Sequence, residues 1–267
     1  MLRNVFLKTL RDQRRALLWW AVGIVGLAFY LALLYPSIRD NAATYDRILK
    51  AMPETLAKTM IGDFGSYGSP EGYLNSSLFF MAAPLLFLIY AISVGSGAIA
   101  GEEEQGTLDL LLSNPLPRWR VVVEKFVALV IGTLFLALVQ WLGLIVGAVA
   151  VNMQISSGRL AEINLSCALL GLAIGTLALA VGCLRGDRSL SVGVASTVGV
   201  AAYFLNSLAA SVKSLEPYRK LSFFYYFIGA DPLKNGLDAG HVAVLVGVTL
   251  VLLAVALVVF ERRDVAV

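Results

Sequence analysis

Hydrophobic and polar positions along this chain separate into blocks. Six stretches carry no Asp, Glu, Lys or Arg: 16–35, 78–100, 126–151, 165–184, 189–210 and 241–260. A helix rising about 1.5 Å per residue crosses the hydrocarbon layer with about 20 apolar residues, and each stretch is at least that long. Lipid offers the backbone no hydrogen-bond partners, so helices are the way such stretches satisfy it. The pattern predicts an all-α integral membrane protein, a single transmembrane domain over 1–267 with six transmembrane helices at those positions.

The blocks between the spans differ in kind. In residues 1–15, Leu2, Val5, Phe6 and Leu10 fall on one side of a helix, and Arg3, Lys8, Arg11, Arg14 and Arg15 fall largely around the other. That suits an amphipathic helix lying in the membrane interface, with a basic flank that merely fixes topology as the alternative. A cleaved signal peptide fits poorly, because the apolar run is long and "YPSIRD" has no small-x-small cleavage pattern. Residues 36–77 form a long loop in which Ile48, Leu49, Met52, Leu56 and Met60 recur near helical spacing, with Pro53 starting a second segment. Short helices packed on the membrane domain are expected there, and a substrate-handling cap is the alternative. In the loop 211–240 the apolar run Leu221–Ala230 is too short to cross, so it lies in the interface or re-enters partway. Small residues recur within spans, at Gly143 and Gly147 and at Gly171, Gly175 and Gly182; they permit close helix packing, or a moving seam. Pro84 is expected to kink the second span.

Composition agrees with this picture. The chain is 58% hydrophobic and 15% charged, with a mean hydropathy of +0.79. Lys and Arg set orientation. Twelve of the 21 cations occupy short segments that share a side with the N-terminus, whereas nine are spread over the longer loops. The positive-inside bias therefore places both termini in the cytoplasm of a multi-pass protein of the cell membrane. A net charge of +3 adds nothing that points to nucleic acid. Cys167 and Cys183 both fall in the fourth span, about 24 Å apart along one helix, too far to pair with each other. They read as packing residues.

The missing chemistry is informative. Ionisable groups within spans mark proton- and sodium-driven carriers because they are costly in hydrocarbon; these spans offer only Gln140, Asn206 and hydroxyls. His241 is the one histidine, so neither a two-histidine zinc motif nor a second Ser-His-acid candidate exists, and it reads as flanking the last span. No metal site and no catalytic residue are expected.

The stretch "GEEEQGTLDLLLSNPLPRWR", residues 101–120, remains. Gly101 and Gly106 mimic the spacing of a phosphate-binding loop, but Thr107 stands where lysine is required and three carboxylates repel phosphate. On the topology it is the first cytoplasmic loop. Thr107 caps a short helix whose Leu108, Leu111 and Leu112 share a face, Pro115 and Pro117 end it, and Arg118, Trp119 and Arg120 return the chain to the interface. An exposed leucine face calls for a partner.

"GEEEQGTLDLLLSNPLPRWRVVVEKF" resembles the acidic-Gly-Thr-leucine-rich-Pro-Arg-Lys signature of ATP-binding-cassette permeases of the ABC type 2 exporter class. The six-span plan, the basic N-terminus and "FFYYFIGADPLKNG" extend the resemblance over nearly the whole chain. It implies a permease that dimerises, expected as a homodimer, and binds two separate cytoplasmic ATPase subunits. ATP and Mg2+ then belong to those partners, and this chain binds no cofactor and is no enzyme. It also implies that the loop helix is a coupling helix seated in the ATPase, carried by Glu102, Glu103, Glu104, Gly106, Thr107, Leu108, Leu111, Leu112, Pro115 and Arg118. The glutamates would touch the ATPase or the basic N-terminal helix, and the leucines its groove. Phe223, Phe224, Tyr225 and Tyr226 match the outer-face segment, an exit-gate candidate. An uncharged interior suits apolar or amphiphilic cargo. Two alternatives stand beside export: transmission of force to an outer-face partner without conducting a solute, and a carrier that needs no ATPase.

Overall fold

The computed structural model of the chain describes residues 5–53, 66–108, 117–210, 212 and 214–263. Every regular element among them is helical. In chain order these are α1 Val5–Asp40, α2 Ala42–Ala51, α3 Pro70–Leu74, a π-helical turn Asn75–Phe79, α4 Ala82–Ala98, α5 Ala100–Glu104, α6 Arg118–Ala150, α7 Ser157–Arg185, α8 Arg188–Ala209, a 3-10 turn Glu216–Leu221, α9 Phe223–Ile228, α10 Pro232–Asn235 and α11 Ala239–Arg262. Six helical segments are long and apolar enough to cross a membrane: α1, α3 through α4, α6, α7, α8 and α11. The chain is thus a multi-pass membrane protein of six spans.

Local chemistry sets the ends. The hydroxyl of Ser156 accepts from the Arg159 N–H, and the carboxylates of Asp187 and Asp238 accept from the N–H groups of Leu190 and His241, so α7, α8 and α11 each begin on a side-chain cap. Gly186, at φ +68°, closes α7 in the left-handed conformation. With Gly186 as stop and Asp187 as start, two residues suffice to reverse the chain.

Two expected boundaries lie elsewhere. Nothing separates a basic N-terminal helix from the first span: α1 is one helix of 36 residues, with Pro36 inside it. At 1.5 Å per residue it is about 54 Å long, well beyond the 30 Å hydrocarbon core. The second span is interrupted upstream of Pro84, by the π-helical turn and by Met81 at φ −138°. Pro84 has no N–H to give to the Phe80 carbonyl, and its ring crowds that oxygen. The helix therefore restarts just before the proline, with Leu85 N–H on the Met81 carbonyl.

α7 is the central helix, in contact with α4, α6, α8 and α11, while α1 lies mainly along α6. The larger core joins Phe79, Phe87, Tyr90, Leu136, Ile163 and Phe227; a smaller one, at the end where α1 begins and α11 finishes, joins Val5, Ile99, Leu108, Val121, Val122 and Phe260. Cys167 and Cys183 are both buried and unpaired on α7.

α4 and α7 meet backbone to backbone. A Cβ on Gly95 would run into the Gly175 carbonyl, and one on Gly175 would stand 2.8 Å from the Ala91 Cβ and 2.9 Å from its carbonyl oxygen. Gly175→Ala is therefore expected to cost on the order of 2 kcal/mol through overpacking. Gly97→Ala, on the facing helix α4 but with nothing within 4 Å, should be neutral. Melting temperatures in detergent check this; equal values for both variants would contradict the close approach.

Candidate functional site: a carboxylate cluster at the charged end

Residues 102–104 do not sit in a loop. They lie on α5, one helical turn that prolongs the second span, so three consecutive side chains fan out in three directions. Each meets a different neighbour. Glu102 accepts from the Lys125 ammonium of α6 at 2.6 Å and lies 3.8 Å from the Lys8 ammonium of α1. Glu103 pairs with the Arg263 guanidinium, just beyond α11. Glu104 accepts from the backbone N–H of Arg188, the first residue of α8, at 3.1 Å.

The partners are themselves fixed. Lys125 is 5% exposed, so its charge is answered inside the protein. The Thr107 hydroxyl donates to the second oxygen of Glu102. Gly106 takes the turn between them at φ +66°. Glu124 accepts from the Phe6 N–H at 2.9 Å and from Arg120 at 2.8 Å, tying the start of α1 to α6. Arg118 donates to the Arg263 carbonyl and lies 6.0 Å over the Phe260 ring. Arg263 also reaches the Cys183 carbonyl at 3.4 Å. The Glu103–Arg263 pair packs over Gly186, where any Cβ would collide with both side chains.

Burial by itself would raise the Glu102 pKa. The Lys125 and Thr107 hydrogen bonds and the charges of Lys125 and Lys8 outweigh it, holding the carboxyl below its ordinary 4.5. The cluster is thus an ionised hub on which α1, α6, α8 and α11 converge.

Leu108 is the residue that the structure places differently. It is 1% exposed, inside the smaller core beside Val5, Val121 and Phe260, and so is closed to a partner in this arrangement. Leu111, Leu112 and Pro115 lie outside the described residues, as does Arg3. In the N-terminal segment Arg11, Arg14 and Arg15 are exposed, while Phe6, Lys8 and Leu10 are half-buried.

At the opposite end, the aromatic segment is drawn into the bundle. Phe224 is buried on Tyr203, with ring centroids 5.4 Å apart. Ser222 donates to the Ala202 carbonyl and Ser166 to the Phe227 carbonyl, pinning both ends of α9. Phe223 is half-buried; Tyr225 and Tyr226 flank the His241 ring at 5.0 and 5.3 Å. Asn75, fully buried on the π-helical turn, donates to Asp231 at 2.8 Å. No sequence signal points to that contact, which spans 156 positions. Among the described residues no group of three or more His, Cys, Asp or Glu could hold a metal ion.

Similarity to known proteins agrees with the architecture. The chain is 23% identical, over the full length of both proteins, to an uncharacterized protein, YhcI, of Bacillus subtilis. Residues 3–265 match the family described as "ABC-2 family transporter protein". A match that covers all six spans shows that the chain is a membrane component of the ABC-2 transporter family.

Proposed function

We propose that the chain is the permease subunit of an ATP-driven exporter of apolar or amphiphilic cargo, working as a homodimer with two cytoplasmic ATPase subunits. Family membership implies an ABC ATPase partner. The observation that carries the coupling role is the position of α5: this single turn is joined through consecutive carboxylates to α6 and α1, to the residue ending α11, and to the start of α8. The leucine-rich stretch next in sequence is the part that the ATPase engages, through Leu111 and Leu112. A displacement imposed there passes through α5 to four spans together and shifts their equilibrium between two arrangements. The charged end then faces the cytoplasm, in keeping with its cations, and Phe223, Phe224, Tyr225 and Tyr226 gate the far side. An uncharged span interior is what supports apolar or amphiphilic cargo.

The deciding experiment is purification of the chain from its native membrane in mild detergent, with mass spectrometry and an ATPase assay of the eluate. A stoichiometric nucleotide-binding subunit with vanadate-sensitive hydrolysis is expected. A lone chain without hydrolysis, across several mild detergents, would overturn the reading.

A further inference from the structure

A buried hydrogen bond ties the aromatic segment to the second span, and both of its ends are held under unfavourable conditions. Asn75 is fully buried and opens the π-helical turn, with the Phe80 N–H on its backbone carbonyl at 2.7 Å. Such a turn holds one residue more than an α-helical turn, and turns of this kind gather at functional sites. The Asn75 amide donates to Asp231 at 2.8 Å, but its side-chain oxygen is buried and finds no hydrogen-bond partner among the described residues. A buried polar atom left in that state is uncommon and calls for an explanation. At the other end Asp231 stands at φ +50°, in the left-handed region that a residue with a Cβ enters at a cost. Its second oxygen lies 3.3 Å from the Lys234 ammonium.

Asp231 joins α9 to α10. The other fastenings of α9 go to different spans: Ser222 donates to Ala202 of α8, and Ser166 of α7 donates to Phe227. The side on which α9 and α10 can part from the bundle is therefore the second span. The π-helical turn also meets α9 through rings, Phe80 on Tyr203 at 5.8 Å and Tyr203 on Phe224 at 5.4 Å. Ring contacts are spread over many weak atom pairs and give way gradually. A hydrogen bond of 2.8 Å is lost within about an ångström, so it is the all-or-none part of this seam. When it breaks, the Asn75 oxygen gains access to water and Asp231 is free to leave the left-handed region. The open arrangement recovers what the closed one gives up, which keeps the two close in free energy.

We propose that the Asn75–Asp231 hydrogen bond is a latch: closed, it holds α9 and α10 against the second span; broken, it lets the second span part from them. The latch rests on the reading of Phe223, Phe224, Tyr225 and Tyr226 as a gate and names the contact that regulates it. The second span carries α5 at its other end, so the charged hub and the latch are the two ends of one interrupted span.

The test is a distance measurement by double electron–electron resonance on the purified chain in nanodiscs, without the ATPase. Spin labels go on Met81→Cys and Asn235→Cys, both exposed positions; Cys167 and Cys183 are buried and stay unlabelled. The parent should populate mainly the shorter of two distances. Asn75→Ala should raise the ratio of longer to shorter about tenfold, as expected for loss of a hydrogen bond to a charged acceptor. Asp231→Asn keeps an oxygen that accepts from Asn75 and should keep the parent ratio. Asp231→Gly removes the acceptor while easing the left-handed backbone, so it should shift the ratio as Asn75→Ala does. If backbone strain alone governed the seam, it would instead favour the shorter distance. A parent ratio in Asn75→Ala or in Asp231→Gly overturns the proposal. So does a lowered melting temperature with a single, merely broadened distance, because the bond would then hold local structure and not separate two arrangements. No ATPase takes part, so a failed latch leaves the transport reading standing, and a chain that copurifies with no ATPase leaves these distances interpretable.

Discussion

Leu108→Asp is expected to abolish the folded chain, leaving no monodisperse species in detergent, whereas Leu108→Met should cost less than about 1.5 kcal/mol. Leu108 is enclosed by Val5, Val121, Val122 and Phe260. Aspartate there forfeits the buried leucine, about 2–5 kcal/mol on large-to-small scales, and adds a carboxylate with Glu102 and Glu103 only a few residues away. An uncompensated charge in such surroundings is among the few changes that exceed about 4 kcal/mol. A leucine that docked into the ATPase would behave oppositely: its aspartate variant would fold normally and lose only the partner. That second phenotype is expected of Leu111→Asp, measured as lost copurification and lost ATPase stimulation with an unchanged melting temperature. If Leu108→Asp folded and merely uncoupled, the enclosed position of Leu108 would be wrong.

The contrast between these leucines marks where sequence reasoning stops. Spacing of i, i+3 and i+4 places residues on one helical face but does not say which surroundings that face meets. The same limit applies to the spans. Their number is legible because an uncharged apolar run of about 20 residues is rarely anything but a spanning helix. Lipid-facing and protein-facing residues are equally apolar, however, so the central place of α7 is not legible. Pro84 signals a distortion correctly, but the π-helical turn at Asn75–Phe79 lies further upstream than the Phe80 carbonyl that the missing N–H would serve. Lys8 is legible as a possible partner of the glutamates. Lys125 and Arg263 read in the sequence only as topology-setting cations, because pairing across 23 and 160 positions depends on helix packing that charge counts do not contain. A cue for Lys125 does exist: it stands at the mouth of the third span, where the acidic turn at the end of the second must pass close by.

Lys125→Met should destabilise the chain more than Glu102→Gln. Methionine matches the lysine stem in size but leaves Glu102 with Thr107 and the more distant Lys8, so a partly buried carboxylate loses its closest counter-charge. Removing one partner of a buried pair costs about 3–5 kcal/mol, and the lower end applies here because Glu102 remains partly solvated and keeps Lys8. In Glu102→Gln the amide oxygen still accepts from Lys125, and Lys125 keeps a polar partner. The double variant Glu102→Gln, Lys125→Met should recover part of the loss of Lys125→Met, giving a coupling energy of about 1–3 kcal/mol in a double-mutant cycle. The pH dependence has a definite sign. Because the folded-state pKa of Glu102 lies below the ordinary 4.5, the unfolded chain binds the proton more readily; the stabilisation is complete above that value and disappears as pH falls through the folded-state value. Thermal stability of the parent chain should therefore drop more steeply below about pH 4.5 than that of Glu102→Gln. Parallel curves would mean that the Glu102–Lys125 pair is not ionised in the folded protein. Additive losses in the cycle would mean that the two side chains do not interact, and that α5 is held to α6 by packing alone. The coupling route through α5 would then lose its link to the third span, leaving Glu103 and Glu104 to carry displacement to α11 and α8.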